Sequence, residues 1–198
     1  MRDADFFRRW MAAATAAVER EADRLTELDS PIGDADHGSN LLRGFTAVQA
    51  ALEGEPPGTP GAVLQLAGRT LISTVGGASG PLYGTLLRRT GKELGDAAEV
   101  SDEALREALS AGVGAVAQLG GAAPGDKTML DALVPGLEGL STSYRAAADA
   151  AESGALATVP ILARKGRASY LGERSIGHQD PGATSSALLL AALAEVAG

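Results

Sequence analysis

The sequence contains no cysteine in 198 residues, which excludes disulfides and thiolate metal sites. It has two histidines, His37 and His178, too few to build a zinc site unaided. Aromatic residues are scarce, at 4% of a chain that is 45% hydrophobic. Alanine and leucine must therefore fill the core, a composition that favours helix. No apolar run approaches the roughly 18 residues of a membrane span. Positive charge is in deficit: 17 Lys and Arg against 25 Asp and Glu leave a net charge of −8, which argues against nucleic acid or an anionic membrane as a generic partner. Arg2, Asp3, Asp5, Arg8 and Arg9 interrupt the apolar residues of the N-terminus, unlike a signal peptide, so a cytoplasmic setting is expected. The length suits one domain, residues 1–198, large enough for a proper core.

What the sequence does have is a loop crowded with acid. Asp29, Asp34 and Asp36 fall within Leu28–Asn40, separated by Pro31, Gly33 and Ala35, where no regular helix can continue. Two carboxylates at 4 Å repel by roughly 4 kcal/mol at an effective dielectric near 20. A divalent cation removes that repulsion, and hard oxygen ligands suit Mg²⁺ or Ca²⁺. The plainer reading is a helix cap or Asx-turn. An EF-hand fails on register, because a loop starting at Asp34 or Asp36 places Phe45 or Ala47 where its twelfth-position acid belongs. His37 to Asn40 stand where the next helix begins, and free N–H groups there favour an anion such as phosphate.

Apolar periodicity predicts an all-α architecture of about eight helices. The first carries Phe7, Met11, Ala14, Val18, Leu25 and Leu28; the second runs from about Ser39 to Leu52. Thr59 and Pro60 read as the cap and first residue of the third helix, and Leu82, Leu86 and Leu87 mark the fourth. Ser101 caps the fifth, which stops at Gly120-Gly121. A sixth is expected from Met129 to Ala151, interrupted or started late by Pro135 and Gly136, a seventh from about Gly154 to Ala163, and an eighth from Ala183 to Val196. No stretch alternates as a strand does. Short connections make an up-down barrel or bundle of antiparallel neighbours. The four unusual loops then follow helices one, three, five and seven, which puts them all at one end.

Gly77-Ala78-Ser79-Gly80 before Pro81 suits phosphate as well as it suits a helix cap. Gly120 to Lys127 nearly spells a Walker A loop, but Asp126 intrudes and no strand precedes it, so a P-loop is rejected. Gly120 and Gly121 can admit a flat ring with Met129 as an apolar lid, or simply cap a helix over core. Arg167 can neutralise phosphate or belong to a solvated basic turn with Arg164 and Lys165. Asp180 before Pro181-Gly182 can hold a turn or bind a hydroxyl.

Four motifs together carry a resemblance. Gly33-Asp34-Ala35-Asp36-His37-Gly38, Gly76–Thr85, Gly125-Asp126-Lys127-Thr128-Met129-Leu130-Asp131 and Gly166–Ala183 are similar, in order and over essentially the whole chain, to the L domain of dihydroxyacetone kinases. That resemblance implies a barrel of eight antiparallel helices with nucleotide and two Mg²⁺ at one end. It implies that Asp29, Asp34 and Asp36 hold the metal pair. His37, Gly38, Ser39 and Asn40 would line the nucleotide, with Ala78 and Ser79 at its phosphates. Gly120 or Gly121 and Met129 would meet the adenine, and Arg167 with Asp180, Pro181 and Gly182 would close the pocket. The family loop usually has glycine where Ala35 stands, so a positive φ there would cost about 1 kcal/mol.

With little chain on either side of the domain, the sequence resembles the free-standing L subunit of phosphotransferase-system-dependent kinases. There, tightly bound ADP is rephosphorylated by a phosphohistidine carrier (M) subunit, and the γ-phosphoryl passes to dihydroxyacetone on a K subunit. A homodimer is compatible with the resemblance. The alternatives are an L subunit using exchangeable ATP on another small ketose and a non-catalytic nucleotide-sensing regulatory subunit. No residue is assigned a catalytic acid or base role, because no second polar cluster that could hold a polyol is evident.

Overall fold

The computed structural model describes residues 1–198. Eight α-helices follow one another: α1 (Ala4–Asp29), α2 (His37–Gly54), α3 (Pro60–Thr74), α4 (Ser79–Leu94), α5 (Asp102–Gly120), α6 (Leu130–Gly139), α7 (Tyr144–Ala157) and α8 (Pro181–Ala197). Each packs on the next, and α8 returns to α1, so the helices close into a barrel. The expected all-α class and helix count hold.

The barrel encloses one core of 39 buried hydrophobic residues, including Phe7, Met11, Phe45, Leu64, Leu71 and Leu87. Trp10 lies in it fully buried, its indole N–H donating to Leu189 C=O at 2.9 Å, so the ring's one polar atom is satisfied. Thr59 and Ser101 cap α3 and α5 as expected, accepting from the Ala62 and Ala104 N–H groups.

Three features differ from the periodic reading. The expected sixth helix, Met129 to Ala151, is two. Pro135 is carried inside α6, and the break comes at 140–143, where Ser143 caps α7. Gly136 and Gly139 permit the fold-back: a Cβ at Gly139 would lie 2.6 Å from Ala146 C=O, so only glycine lets α7 return this closely. The expected seventh helix at Gly154 to Ala163 is not separate: α7 runs through Gly154 and stops at Ala157, because Pro160 removes a donor and restrains Val159. Residues 158–166 instead form an irregular strap leading into a 3₁₀ segment, Arg167–Ser175. Its Ala163 and Ala168 make a small second cluster with Ile32 of the α1–α2 loop. Finally, Arg2–Asp3 (β1) pairs with Glu99–Val100 (β2), too short a pairing to show as alternation.

Candidate functional site

Helix parity places the α1–α2, α3–α4, α5–α6 and α7–α8 connections at one end, around a cavity of about 500 Å³. Asp29, Asp34, Asp36, His37, Asn40, Ala78, Ser79, Gly120, Met129, Arg167, Asp180, Pro181 and Gly182 all line it.

Gly38, Ser39 and Gly121 do not. A Cβ on Gly38 would sit 1.9 Å from Ala22 C=O, so this glycine serves the close crossing of α1 and α2. The Ser39 hydroxyl donates back to Asp36 C=O at 3.0 Å. Gly121 is the left-handed cap of α5, at φ 54°.

The acid loop is built around Asp29. Its buried carboxylate accepts from the Asp36 and His37 N–H groups at 3.0 and 3.3 Å, folding the loop back onto the end of α1. A Cβ at Gly33 would meet Asp29 Oδ1 at 1.9 Å, so only glycine admits this wrap. Ala35 takes a φ of 57°, the strained conformation that alanine adopts at a cost of about 1 kcal/mol. One carboxylate oxygen from each of Asp29, Asp34 and Asp36 falls within 4.8 Å of the others. Three hard oxygen donors on a loop, two of them exposed, fit a Mg²⁺-type cation. A cation already approaches the cluster: the Arg167 guanidinium reaches across from the strap to Asp34 Oδ2 at 2.8 Å.

Helix starts divide sharply between the two ends. At the far end α1, α3, α5 and α7 are capped by the side chains of Asp3, Thr59, Ser101 and Ser143. At the cavity end the residues just before α2, α4 and α6 give no side-chain cap, whereas Asp180 caps α8; the first N–H of α2 goes instead to Asp29, and that of α6 to Thr128 Oγ1. The start of α4, with no side-chain cap, turns its Ser79 to the cavity, and the positive dipole ends of α2 and α4 both lie there, which suits an anion. Beyond them Leu82, Val116, Leu119, Ala122 and Met129 make an apolar side to the cavity. A Cβ at Gly120 would come no nearer than 3.8 Å to Leu82 or Ala122, so glycine leaves this side of the cavity open by about a methyl group.

Sequence reasoning missed two groups. Tyr83, Ser185 and Ser186 form a buried hydroxyl cluster against His37; they read as ordinary helix residues because the contact joins α4 to α8. Lys127, weighed only as a P-loop lysine, is 1% exposed and donates from Nζ to the C=O groups of Thr158, Val159, Ile161 and Ser175. It ties the strap to the α5–α6 loop at a φ of 64°. Asp131 orders the same loop, accepting from Gly125 and Thr128 N–H.

Burial dominates the titration of the site. It holds the His37 imidazole below its ordinary range, with partial opposition from Asp29 and Asp36. It pushes the Asp180 carboxyl up to about 7, although the Ala183 N–H donated to it pulls the other way; Asp131 raises it further, and Lys127 lowers it. The folded chain therefore keeps a proton that the unfolded chain releases near 3.8. Stability from this group is lost as pH rises from about 4 to 7, by at most roughly 1.4 kcal/mol per pH unit. Asp180→Asn, which can still cap α8, is expected to flatten that slope in urea titrations of the metal-free chain between pH 5 and 8. An unchanged slope would place the proton elsewhere.

Comparison with known proteins fits this geometry. Residues 31–195 match the family model described as DAK2 domain. The chain belongs to the DAK2 domain family. It is 44% identical over 195 residues to the PEP-dependent dihydroxyacetone kinase ADP-binding subunit DhaL of Escherichia coli, covering 93% of each chain. It is 40% identical to a D-erythrulose kinase of Mycolicibacterium smegmatis, but spans only 33% of that protein's length. Among solved structures, the dihydroxyacetone kinase of C. freundii in complex with AMP-PNP and Mg²⁺ superposes with a TM-score of 0.75 at 30% identity. That match covers 94% of this chain and 33% of that one, so the chain spans about a third of that kinase.

Proposed function

We propose that this chain is the nucleotide-binding subunit of a phosphotransferase-system-dependent dihydroxyacetone kinase. It holds ADP with about two Mg²⁺ at Asp29, Asp34 and Asp36. The phosphates lie against the starts of α2 and α4, with Ser79 beside them, and the adenine lies in the slot beside Gly120 and Met129. The bound ADP takes a phosphoryl group from a phosphohistidine carrier (M) subunit and gives it to dihydroxyacetone on a separate K subunit. The observation that carries this reading is the meeting, in one cavity, of a carboxylate triad, the N-terminus of α4 with no side-chain cap, and an apolar slot. Those are the parts phosphoryl transfer asks of a protein: a metal to neutralise charge and donors that hold the phosphates in line.

The acceptor side is the partner's. Lys165 and Arg167 line the cavity, and the strap and 3₁₀ segment that carry them also expose Arg164, Arg174, Tyr170, which is 89% exposed, and the half-exposed Ile176. A basic patch with apolar anchors on an otherwise acidic chain suits docking of an acidic partner over the nucleotide.

The test is formation of dihydroxyacetone phosphate by the chain alone, with a K-type subunit, and with K- and M-type subunits together. No turnover is expected from the chain alone, and turnover is expected only with both partners. Activity of the isolated chain would overturn the proposal. Turnover with K and free ATP would favour the second reading, exchangeable ATP used on a small ketose, for which the likeness to an erythrulose kinase speaks.

A further inference from the structure

A line of hydroxyl groups runs beneath the cavity floor from α4 to α8 and passes through His37. Ser79 Oγ lies 3.3 Å from His37 Nδ1, and His37 Nε2 lies 2.9 Å from Ser185 Oγ. Ser185 Oγ is 2.6 Å from the Tyr83 hydroxyl, which is 2.9 Å from Ser186 Oγ. Tyr83, Ser185 and Ser186 are buried, whereas Ser79 opens onto the cavity at the first residue of α4. Every member can donate or accept, so the protons can run in either of two consistent senses.

The two ends differ in what they offer. The inner end is the Gly182 carbonyl, 3.3 Å from the Tyr83 hydroxyl and 3.1 Å from Ser185 Oγ, and it can only accept. With no anion in the cavity the protons point inward. Ser79 donates to Nδ1, Nε2–H donates to Ser185, and the Ser185 and Tyr83 hydroxyls run down to Gly182. Ser79 then turns only lone pairs to the cavity, which repel a phosphoryl oxygen. An anion at the start of α4 is a stronger acceptor at the outer end, because a hydrogen bond to a charged group outweighs one to a carbonyl. The opposite sense then wins. Ser186 donates to Tyr83, Tyr83 to Ser185, Ser185 to Nε2, and Nδ1–H to Ser79, whose own proton is freed for the phosphate.

We propose that phosphate binding reverses this chain, moving His37 from the Nε2–H to the Nδ1–H tautomer so that Ser79 meets the nucleotide as a donor. The exchange leaves the ring neutral and the number of protons unchanged: Nε2 gives its proton to water, and Nδ1 takes one from water, through the cavity that His37 lines, while each hydroxyl keeps its own proton and only turns. Ser185 and Tyr83 are positioning residues, acting on the phosphate only through His37 and Ser79. The inference rests on the nucleotide reading above.

With only two histidines, the chain labelled with ¹⁵N-histidine gives a spectrum in which His37 is separated from His178 by a His178→Gln variant. Long-range ¹H–¹⁵N correlations distinguish the tautomers. The free protein is expected to show His37 protonated at Nε2, and the ADP–Mg²⁺ form at Nδ1. Ser185→Ala is expected to block the exchange and weaken ADP about ten-fold, the size of one charge-assisted hydrogen bond. Ser185→Thr, which restores the hydroxyl, is expected to recover both. ADP binding is measured calorimetrically on the same samples. Tight binding with one tautomer throughout would overturn the relay alone, as would an exchange that survives in Ser185→Ala. Absence of any ADP binding would overturn the nucleotide reading and the relay together.

Discussion

Stripping divalent cations with EDTA is expected to lower the affinity for ADP by more than about 100-fold, and returning Mg²⁺ is expected to restore it. The reason lies in the charge already on the loop. Asp29, Asp34 and Asp36 bring carboxylate oxygens within 4.8 Å of one another, and a nucleotide brings further negative charge to the same place. Each close pair of like charges costs roughly 4 kcal/mol at an effective dielectric near 20, so anion and acid loop coexist only with a cation between them. Arg167, 2.8 Å from Asp34, offsets part of the repulsion, but one guanidinium cannot balance three carboxylates and a diphosphate.

The three acids should not respond alike to substitution. Asp34→Asn and Asp36→Asn are expected to weaken metal binding strongly while the fold survives, because neither exposed carboxylate takes part in folding the loop. Asp29→Asn should also loosen the loop, since the Asp29 carboxylate holds the Asp36 and His37 N–H groups. Ligand bound only to the folded state adds roughly 4 kcal/mol at a thousand-fold excess over Kd, so the ADP–Mg²⁺ form should melt well above the stripped form. Calorimetry and melting curves read both effects. Equal ADP affinity in EDTA would return the three aspartates to the role of turn formers.

Lys127→Met is expected to destabilise the chain by about 3 kcal/mol, with the damage concentrated in the strap. The three N–H groups of the Lys127 ammonium are shared among four carbonyls that converge on one buried atom; Thr158 and Val159 C=O also accept from backbone N–H groups, so Ile161 and Ser175 C=O depend on it most. Burial pulls this lysine below the usual lysine range, and the nearby charges of Asp180 and Asp131 act the other way. Methionine matches the length but not the donors, and each buried carbonyl left without a partner costs about 1–3 kcal/mol before relaxation. The strap carries Lys165, Arg167 and Ala168 to the cavity, so its release should also open the nucleotide end. Denaturant titration gives the stability change, and limited proteolysis locates it. Cleavage should appear first between residues 158 and 176; uniform digestion would argue that Lys127 acts on the whole barrel.

Much of the barrel was legible because its signals are local. Thr59-Pro60 and Ser101 announce helix starts with the side chains that then cap them, and the apolar spacing through Phe7, Met11 and Val18 marks the face that turns inward. The helix order alone determined that the four loops share one end, since antiparallel neighbours must alternate. Ala35 was legible only through the resemblance, whose loop has glycine there; the structure gives it the positive φ that glycine would suit. Pro160 was the misread local signal: its apolar neighbours suggested helix, and its missing N–H forbade it.

The sequence by itself therefore determined the all-α class, the up-down order and the acid loop, each set by near neighbours in the chain. Only the tertiary structure decided what those loops become together. It showed that α4 starts at the cavity without a side-chain cap, that Gly38 serves a helix crossing, and that Lys127 is a buried strut between the α5–α6 loop and the strap. It also brought Ser185 of α8 to His37 of α2, across 148 residues of chain. No local pattern encodes such a meeting, because closure of the barrel, with α8 packed on α1, places the two residues side by side.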